Sequence, residues 1–409
     1  MKSNNIRIIT LLALVVVLVP LLGKVVAVAM SSACFGWPSL NYHIGYETGF
    51  GGRKFIGTLC HLLLPAYVQA THIRVLVIAA NALLLAGVAW LFTKLVSKAS
   101  DAKLSGMMLL AYFVGPFSLL AWFDTGMSVI FMETYQLLFV VGWLLAYLRW
   151  HGRSGFYVFT LILSVVCGLI HHTFCCTLMP LVAALLLYDL WDGGRFQPRR
   201  LVWTAVIGVA MGMLLASIWL FSEMNLPREE LSARLAATVA PNAYEADPYV
   251  LEVLYYQSNS GNRDASLDVL TRCRLPELVL SLLMLLPLLA VLYWPWIRAA
   301  RKAGGTAQAW RYRLVYLTIT LLTLPIFFMA TDYGRWFVCW CFGLVVLTLM
   351  ALALHDKLVE AAVGEMYAYV RSHWWAALLL VVYLLGLHAQ SFEGLKEAIN
   401  IREFLIPNS

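Results

Sequence analysis

The chain has 409 residues, 62% of them hydrophobic and only 12% charged, with a mean hydropathy of +0.79. A soluble domain carries about 25% charged residues, so the composition excludes a water-soluble globular protein and points to helices packed in lipid. The net charge of +7 implies no nucleic acid, because membrane proteins concentrate Lys and Arg in cytoplasmic loops, where they set orientation.

In chain order, residues 1–7 are a short basic start, and residues 8–30 are apolar and long enough to cross a bilayer. This run exceeds the about 7–15 apolar residues of a signal-peptide core, so a retained span is the favoured reading. Residues 31–73 form a first outer loop, in which Phe55 to Val68 reads as a short interfacial helix. Further spans are expected over 74–96, 104–123, 128–148, 156–170, 174–190 and 201–221. Residues 222–275 are the longest polar segment and read as a large outer loop; helices are expected to start at Pro227 and at Asp247. Spans over 278–296, 314–330 and 336–354 follow, then a mixed segment at 355–373 expected on the cytoplasmic surface, then a short last span at 374–387. The expected fold is therefore an all-α polytopic bundle of about eleven transmembrane helices in a single domain, residues 1–409, with the N-terminus inside and the C-terminus outside. Basic clusters such as Lys94, Lys98 and Lys103, or Arg298, Arg301 and Lys302, fall in the expected inner connections and support this orientation.

The eight cysteines form no CxxC pair and no Cys/His metal spacing. Cys167, Cys175, Cys176, Cys339 and Cys341 lie in apolar runs and read as packing residues. Cys34 and Cys273 both fall in expected outer loops, where a disulfide is an open alternative. The absence of any Asn-x-Ser/Thr acceptor favours a bacterial inner membrane.

With this topology the polar residues gather on the outer side. Glu47, Arg53 and Lys54 lie in the glycine-rich stretch from Gly45 to Gly57, where the backbone can turn tightly and approach a ligand. Asp124 and Glu133 flank the start of one span, His171 and His172 sit at the next outer turn, and Asp332, Tyr333 and Arg335 sit at another. A charge at the centre of a membrane helix costs about 2.5–3.5 kcal/mol on insertion scales, so such groups are paired or functional. Each has a simpler reading. Glu133 can salt-bridge a neighbouring arginine. Asp124 can cap a helix. The two histidines can be interfacial packing, and adjacent positions disfavour a shared metal site. Asp332 and Arg335 can form an i, i+3 pair.

A cavity with carboxylates, arginines and histidines at the outer membrane face suits an anionic lipid-linked substrate. Arginine binds diphosphate through paired hydrogen bonds and charge. A carboxylate can deprotonate an acceptor hydroxyl, and fixed cations stabilise a phosphate leaving group. Glu47 is the first candidate for the base and Asp332 the competing one; Arg53, Lys54, Asp124, Glu133, His171, His172, Tyr333 and Arg335 are candidates for substrate binding.

The layout resembles the polytopic glycosyltransferases of the GT-C class and, more loosely, the bacterial O-antigen polymerases. The resemblance rests on Tyr46-Glu47-Thr48-Gly49-Phe50 just after the first span, on Asp332 to Trp336, and on the long outer loop. It implies a sugar donor carried on a polyprenyl phosphate or diphosphate, a glycan or lipid-linked acceptor, membrane lipids as surroundings, and an acidic residue of the first outer loop in catalysis. No cofactor is implied, and a divalent ion is left open. Two other classes stay open: a lipid or solute carrier, whose charges would line a pathway, and a non-catalytic assembly protein, in which the clustered charges would tolerate substitution.

Overall fold

The computed structural model describes residues 3–31, 37–64, 68–124, 127–192, 195–222, 226–239, 275–329 and 333–387. It is a helical membrane bundle. The helices are α1 (Ser3–Met30), α2 (Phe55–Leu63), α3 (Ala70–Lys98), α4 (Ala102–Val114), α5 (Leu119–Asp124), α6 (Glu133–Trp150), α7 (Ser154–Ile170), α8 (Phe174–Thr177), α9 (Met179–Tyr188), α10 (Pro198–Phe221), α11 (Arg228–Val239), α12 (Leu275–Lys302), α13 (Thr306–Thr323), α14 (Ile326–Met329), α15 (Tyr333–Ala353), α16 (Lys357–Ser372) and α17 (Trp374–Leu385). A two-stranded antiparallel hairpin, Trp191–Asp192 with Arg195–Phe196, joins α9 to α10.

The expectation of about eleven spans is not supported at that count. Among the described residues six helices are long and apolar enough to cross a membrane, or seven if the bent pair α16–α17 is one span. The other expected spans are short or interrupted, for local reasons. The run at 104–123 stops at Gly115, which is extended ahead of Pro116, as a residue before proline prefers. The run at 174–190 divides at Leu178, two residues before Pro180. Helix α6 begins with Glu133 and carries 18 residues, and α7 carries 17. The bend between α16 and α17 is 97°. Within the expected large loop only α11 and its immediate flank are described; it starts at Arg228, as the Pro227 signal indicates. The second helix expected there, the Cys34–Cys273 pair, Asp332 and the C-terminal segment from residue 388 lie outside the described residues.

The centre of the bundle is α15. All of its 21 residues are buried, as expected of a helix that is apolar on every side. It packs against α3, α4, α9, α12 and α13. Helix α1 lies on α3, and α7 lies on α10. Outer helices leave large apolar side chains exposed, such as Val16, Val202 and Met213, which is the normal face of a helix toward lipid.

Polar contacts pin the bundle at its basic end. Asp356 caps α16 by accepting from the Leu358 and Val359 amides. It also accepts from the Tyr188 hydroxyl of α9 at 2.7 Å and the Tyr312 hydroxyl of α13 at 3.0 Å, with Arg311 3.8 Å away. Asp189 receives the Tyr157 hydroxyl at 3.1 Å and Arg200 at 3.3 Å. These bonds tie α7, α9, α10, α13 and α16.

The first loop is close-packed on glycine. A Cβ on Gly57 would stand 2.0 Å from the Ile44 carbonyl oxygen and 3.0 Å from that of Asn41. On Gly343, inside α15, a Cβ would crowd only the flexible end of Ile319, at 2.6 Å, and would meet Leu181 in ordinary contact at 3.7 Å. Gly57→Ala is therefore expected to lower the melting temperature of the purified protein strongly, since backbone must move, at the upper end of the roughly 1–3 kcal/mol of overpacking. Gly343→Ala, where a side chain can give, is expected to cost visibly less in the same thermal scan.

Candidate functional site

Four of the sequence candidates meet at one end of the bundle. Glu133 is the first residue of α6, and Arg335 lies in the first turn of α15. Arg335 Nη1 donates to Glu133 Oε1 at 3.0 Å, and both side chains are sealed, at 2% and 1% exposure. The Arg335 guanidinium also lies over the Phe131 ring, 4.2 Å from its centroid. His171 Nε2 is 3.7 Å from the same Glu133 oxygen. Arg53, from the first loop, donates through Nε to His171 Nε2 at 2.5 Å. His171 Nδ1 in turn accepts the Thr173 amide at 3.1 Å and lies 2.8 Å from the Thr173 hydroxyl, so both ring nitrogens are engaged. His171 sits in the turn after α7; burial first, and then the Arg53 charge, lower its pKa. The chain Arg53–His171–Glu133–Arg335 thus joins four segments of the sequence.

Two features hold it in place. Arg53 has φ +67°, a left-handed conformation uncommon for a residue with a side chain. Such strain persists where surrounding contacts fix it, and here Gly52 permits them: a Cβ on Gly52 would stand 2.5 Å from His172 Nδ1. The loop backbone therefore lies directly on the histidine turn. Gln136, one turn beyond Glu133, donates to the Cys167 and His171 carbonyls at 2.8 and 2.6 Å, closing the C-terminal end of α7. Sequence reading missed Gln136 and Thr173; a glutamine three residues after a glutamate in an apolar helix was the available signal. It also missed Asn81, buried in α3, whose amide bridges the Val77 and Val129 carbonyls.

Glu47 stands apart from that sealed chain. It lies in a single 3-10 turn, Tyr46–Thr48, and accepts the Gly45 amide at 2.8 Å. His61 Nδ1 is 3.2 Å away, and the Glu47 side chain is 41% exposed. Lys54, next to Arg53, is buried and donates to the Gly49 carbonyl at 2.9 Å; burial lowers its pKa to about 8, against the opposing pull of Glu47. The exposed carboxylate and the sealed one therefore have different capacities. Glu47 can meet a proton donor from solvent, whereas Glu133 balances Arg335.

The remaining candidates divide. His172 is half-buried beside His171, ring centroids 5.0 Å apart. Tyr333 is 1% exposed and packs on Phe327, so its ring is core and offers no face to a sugar. Asp124 ends α5, and its side chain is not among those described; Asp332 falls outside the described residues. Among the described residues no group of three or more His, Cys, Asp or Glu gathers as a metal would need. The cysteines at 167, 175, 176, 339 and 341 are free and wholly or partly buried.

The arrangement defines a polytopic helical membrane protein with a charged centre at one end of its bundle. Compared with known proteins, the chain matches no family model, no curated relative and no solved structure.

Removing one partner of a buried ion pair typically costs about 3–5 kcal/mol, because the other charge is left uncompensated. Glu133→Gln and Arg335→Met are each expected to lower the melting temperature sharply, and the double variant to lower it by less than the sum. Additive losses in that double-mutant cycle would mean that the pair does not couple.

A second prediction concerns acid. Burial, and then His61, hold the His43 pKa down to about 4; burial, and then Arg53, do the same for His172. Both are neutral in the fold but titrate near 6.5 when unfolded, so the unfolded chain binds more protons between those values. Their contribution to stability is complete above pH 6.5 and is lost as pH falls toward 4. Thermal scans from pH 6.5 to 5, above the usual carboxylate range, are expected to show falling stability, with a shallower fall in a His43→Gln/His172→Gln variant.

Proposed function

We propose that the protein is a membrane glycosyltransferase that moves a sugar or oligosaccharide from a polyprenyl phosphate or diphosphate donor to a glycan or lipid-linked acceptor during cell-surface glycan synthesis. The observation that carries this reading is the convergence of Arg53, His171, Glu133 and Arg335, from four segments, at the end of the bundle that also holds the exposed Glu47. The proposal places that end outside a bacterial inner membrane, with the N-terminus cytoplasmic, the C-terminus periplasmic, and the short helices completing about eleven passes.

In this reaction Glu47 takes the proton of the acceptor hydroxyl as its oxygen attacks the anomeric carbon. The bond from that carbon to the donor phosphate breaks, and the phosphate oxygen leaves with the electron pair. Arg53, on the half-buried rim of the loop, and Lys54, buried next to it, stabilise the charge that gathers there. Arg335 acts through Glu133, which orients His171 and through it Arg53. Glu47 has the exposure that a base for an incoming hydroxyl needs.

Glu47→Gln keeps the shape of the side chain and removes the base. It is expected to leave the protein folded and inserted while lowering glycan product about 10²–10⁴-fold. Arg53→Lys keeps the charge but loses the planar fork, and is expected to lose most of the activity. Normal product from Glu47→Gln with loss in Asp332→Asn would move the base to Asp332. Full activity in both variants would favour a carrier, the reading to which the sealed Glu133–Arg335 pair also lends itself.

A further inference from the structure

The lipid-facing side of α6 and α7 forms a groove of about 620 Å³ that the proposed reaction does not use. Its walls are apolar: Phe139 and Leu145 on one side, Phe159 and Ile162 on the other. Gly142 lies in the middle of it, and no atom stands within 4 Å of where its Cβ would be, so the missing side chain opens the floor. Arg149 and Trp150 line one end. From Leu138 to Arg149 the groove runs about 17 Å at 1.5 Å per residue, a little more than half of the roughly 30 Å hydrocarbon core. Its length therefore matches one leaflet.

The charge lies at one end only. Arg149 is exposed in the last turn of α6 and has no carboxylate partner among the described residues. Exposed Arg153 follows in the next turn, and Lys98 Nζ donates to the Leu148 carbonyl at 3.4 Å, beside Arg149. Arg149 thus stands at the end of the groove that Trp150 marks as the interface, with two further cations, Lys98 and Arg153, in its neighbourhood. A one-leaflet apolar channel with a cationic mouth complements an anionic phospholipid, with the acyl chain on Gly142 and the phosphate on Arg149.

We propose that the α6–α7 groove is a binding site for an anionic glycerophospholipid of the surrounding bilayer. The arginine gives the headgroup selectivity, and Gly142 makes room for the chain.

The test uses the full-length protein, purified in detergent with phosphatidylglycerol or phosphatidylcholine of equal chain length and read by native mass spectrometry. Wild type is expected to retain phosphatidylglycerol in preference. Arg149→Gln is expected to reduce that preference about fivefold, the size of one basic contact at an anionic surface, while Arg149→Lys keeps most of it. Gly142→Phe, whose Cβ meets no atom within 4 Å, is expected to fill the groove and remove the retained lipid with an unchanged melting temperature in lipid-free detergent. Equal retention of both lipids by wild type, or undiminished phosphatidylglycerol on Gly142→Phe, overturns the proposal. So does a wild-type dimer that Gly142→Phe dissociates, because the groove would then be filled by a second copy of the chain.

Discussion

A cation buried in a helix that has no polar side requires a partner, and the rest of the site follows from that requirement. Helix α15 is enclosed along its whole length. Arg335 in its first turn can reach no bulk water, so its charge is met by Glu133 at the start of α6. Once that carboxylate is fixed, its oxygen also lies near His171, and His171 receives Arg53. A constraint inside the bundle is thereby carried through two further residues to the surface loop.

The two ends of the bundle solve the problem of polar groups differently. At the basic end, Asp356 and Asp189 are surrounded by tyrosine hydroxyls and flanking arginines, and their bonds join helices that already pack together. At the other end the contacts join two helices, a turn and a loop through a strained residue, Arg53, while an exposed acid, Glu47, stands apart from them in the same loop. The first pattern rigidifies. The second leaves a carboxylate accessible to solvent, which is what its proposed acid–base role asks of it.

Much of this was legible from residue order, and the exceptions have physical causes. The long spans read cleanly because an apolar run of about 20 residues in lipid has one low-energy backbone solution. The interrupted ones did not, because hydropathy is blind to a break such as Gly115–Pro116, which changes no side-chain polarity. The grouping of Glu47, Arg53, Glu133, His171 and Arg335 toward one end of the bundle was visible as a pattern. That Glu133 would bridge an arginine was foreseeable, but not which one: its partner is Arg335, 202 residues distant. Tyr333 shared a motif with Arg335, yet the helix turns its ring into the core. Gln136 carries no charge and Gly52 is one glycine among several in its stretch, so the particular contacts each makes are revealed only by packing.

That separation of 202 residues also bears on biogenesis. Glu133 leaves the ribosome long before Arg335 exists, so α6 must enter the bilayer with its acid still uncompensated. Its position as the opening residue of the helix, rather than mid-helix, lets the carboxylate wait in the headgroup layer. When Arg335 arrives, drawing it down beside Glu133 brings α15 into the gap left by the earlier helices. Insertion of α15 is then also the neutralisation of a charge made two hundred residues earlier, and a ribosome stalled between the two would leave a chain with its acid at the membrane edge and its centre unfilled.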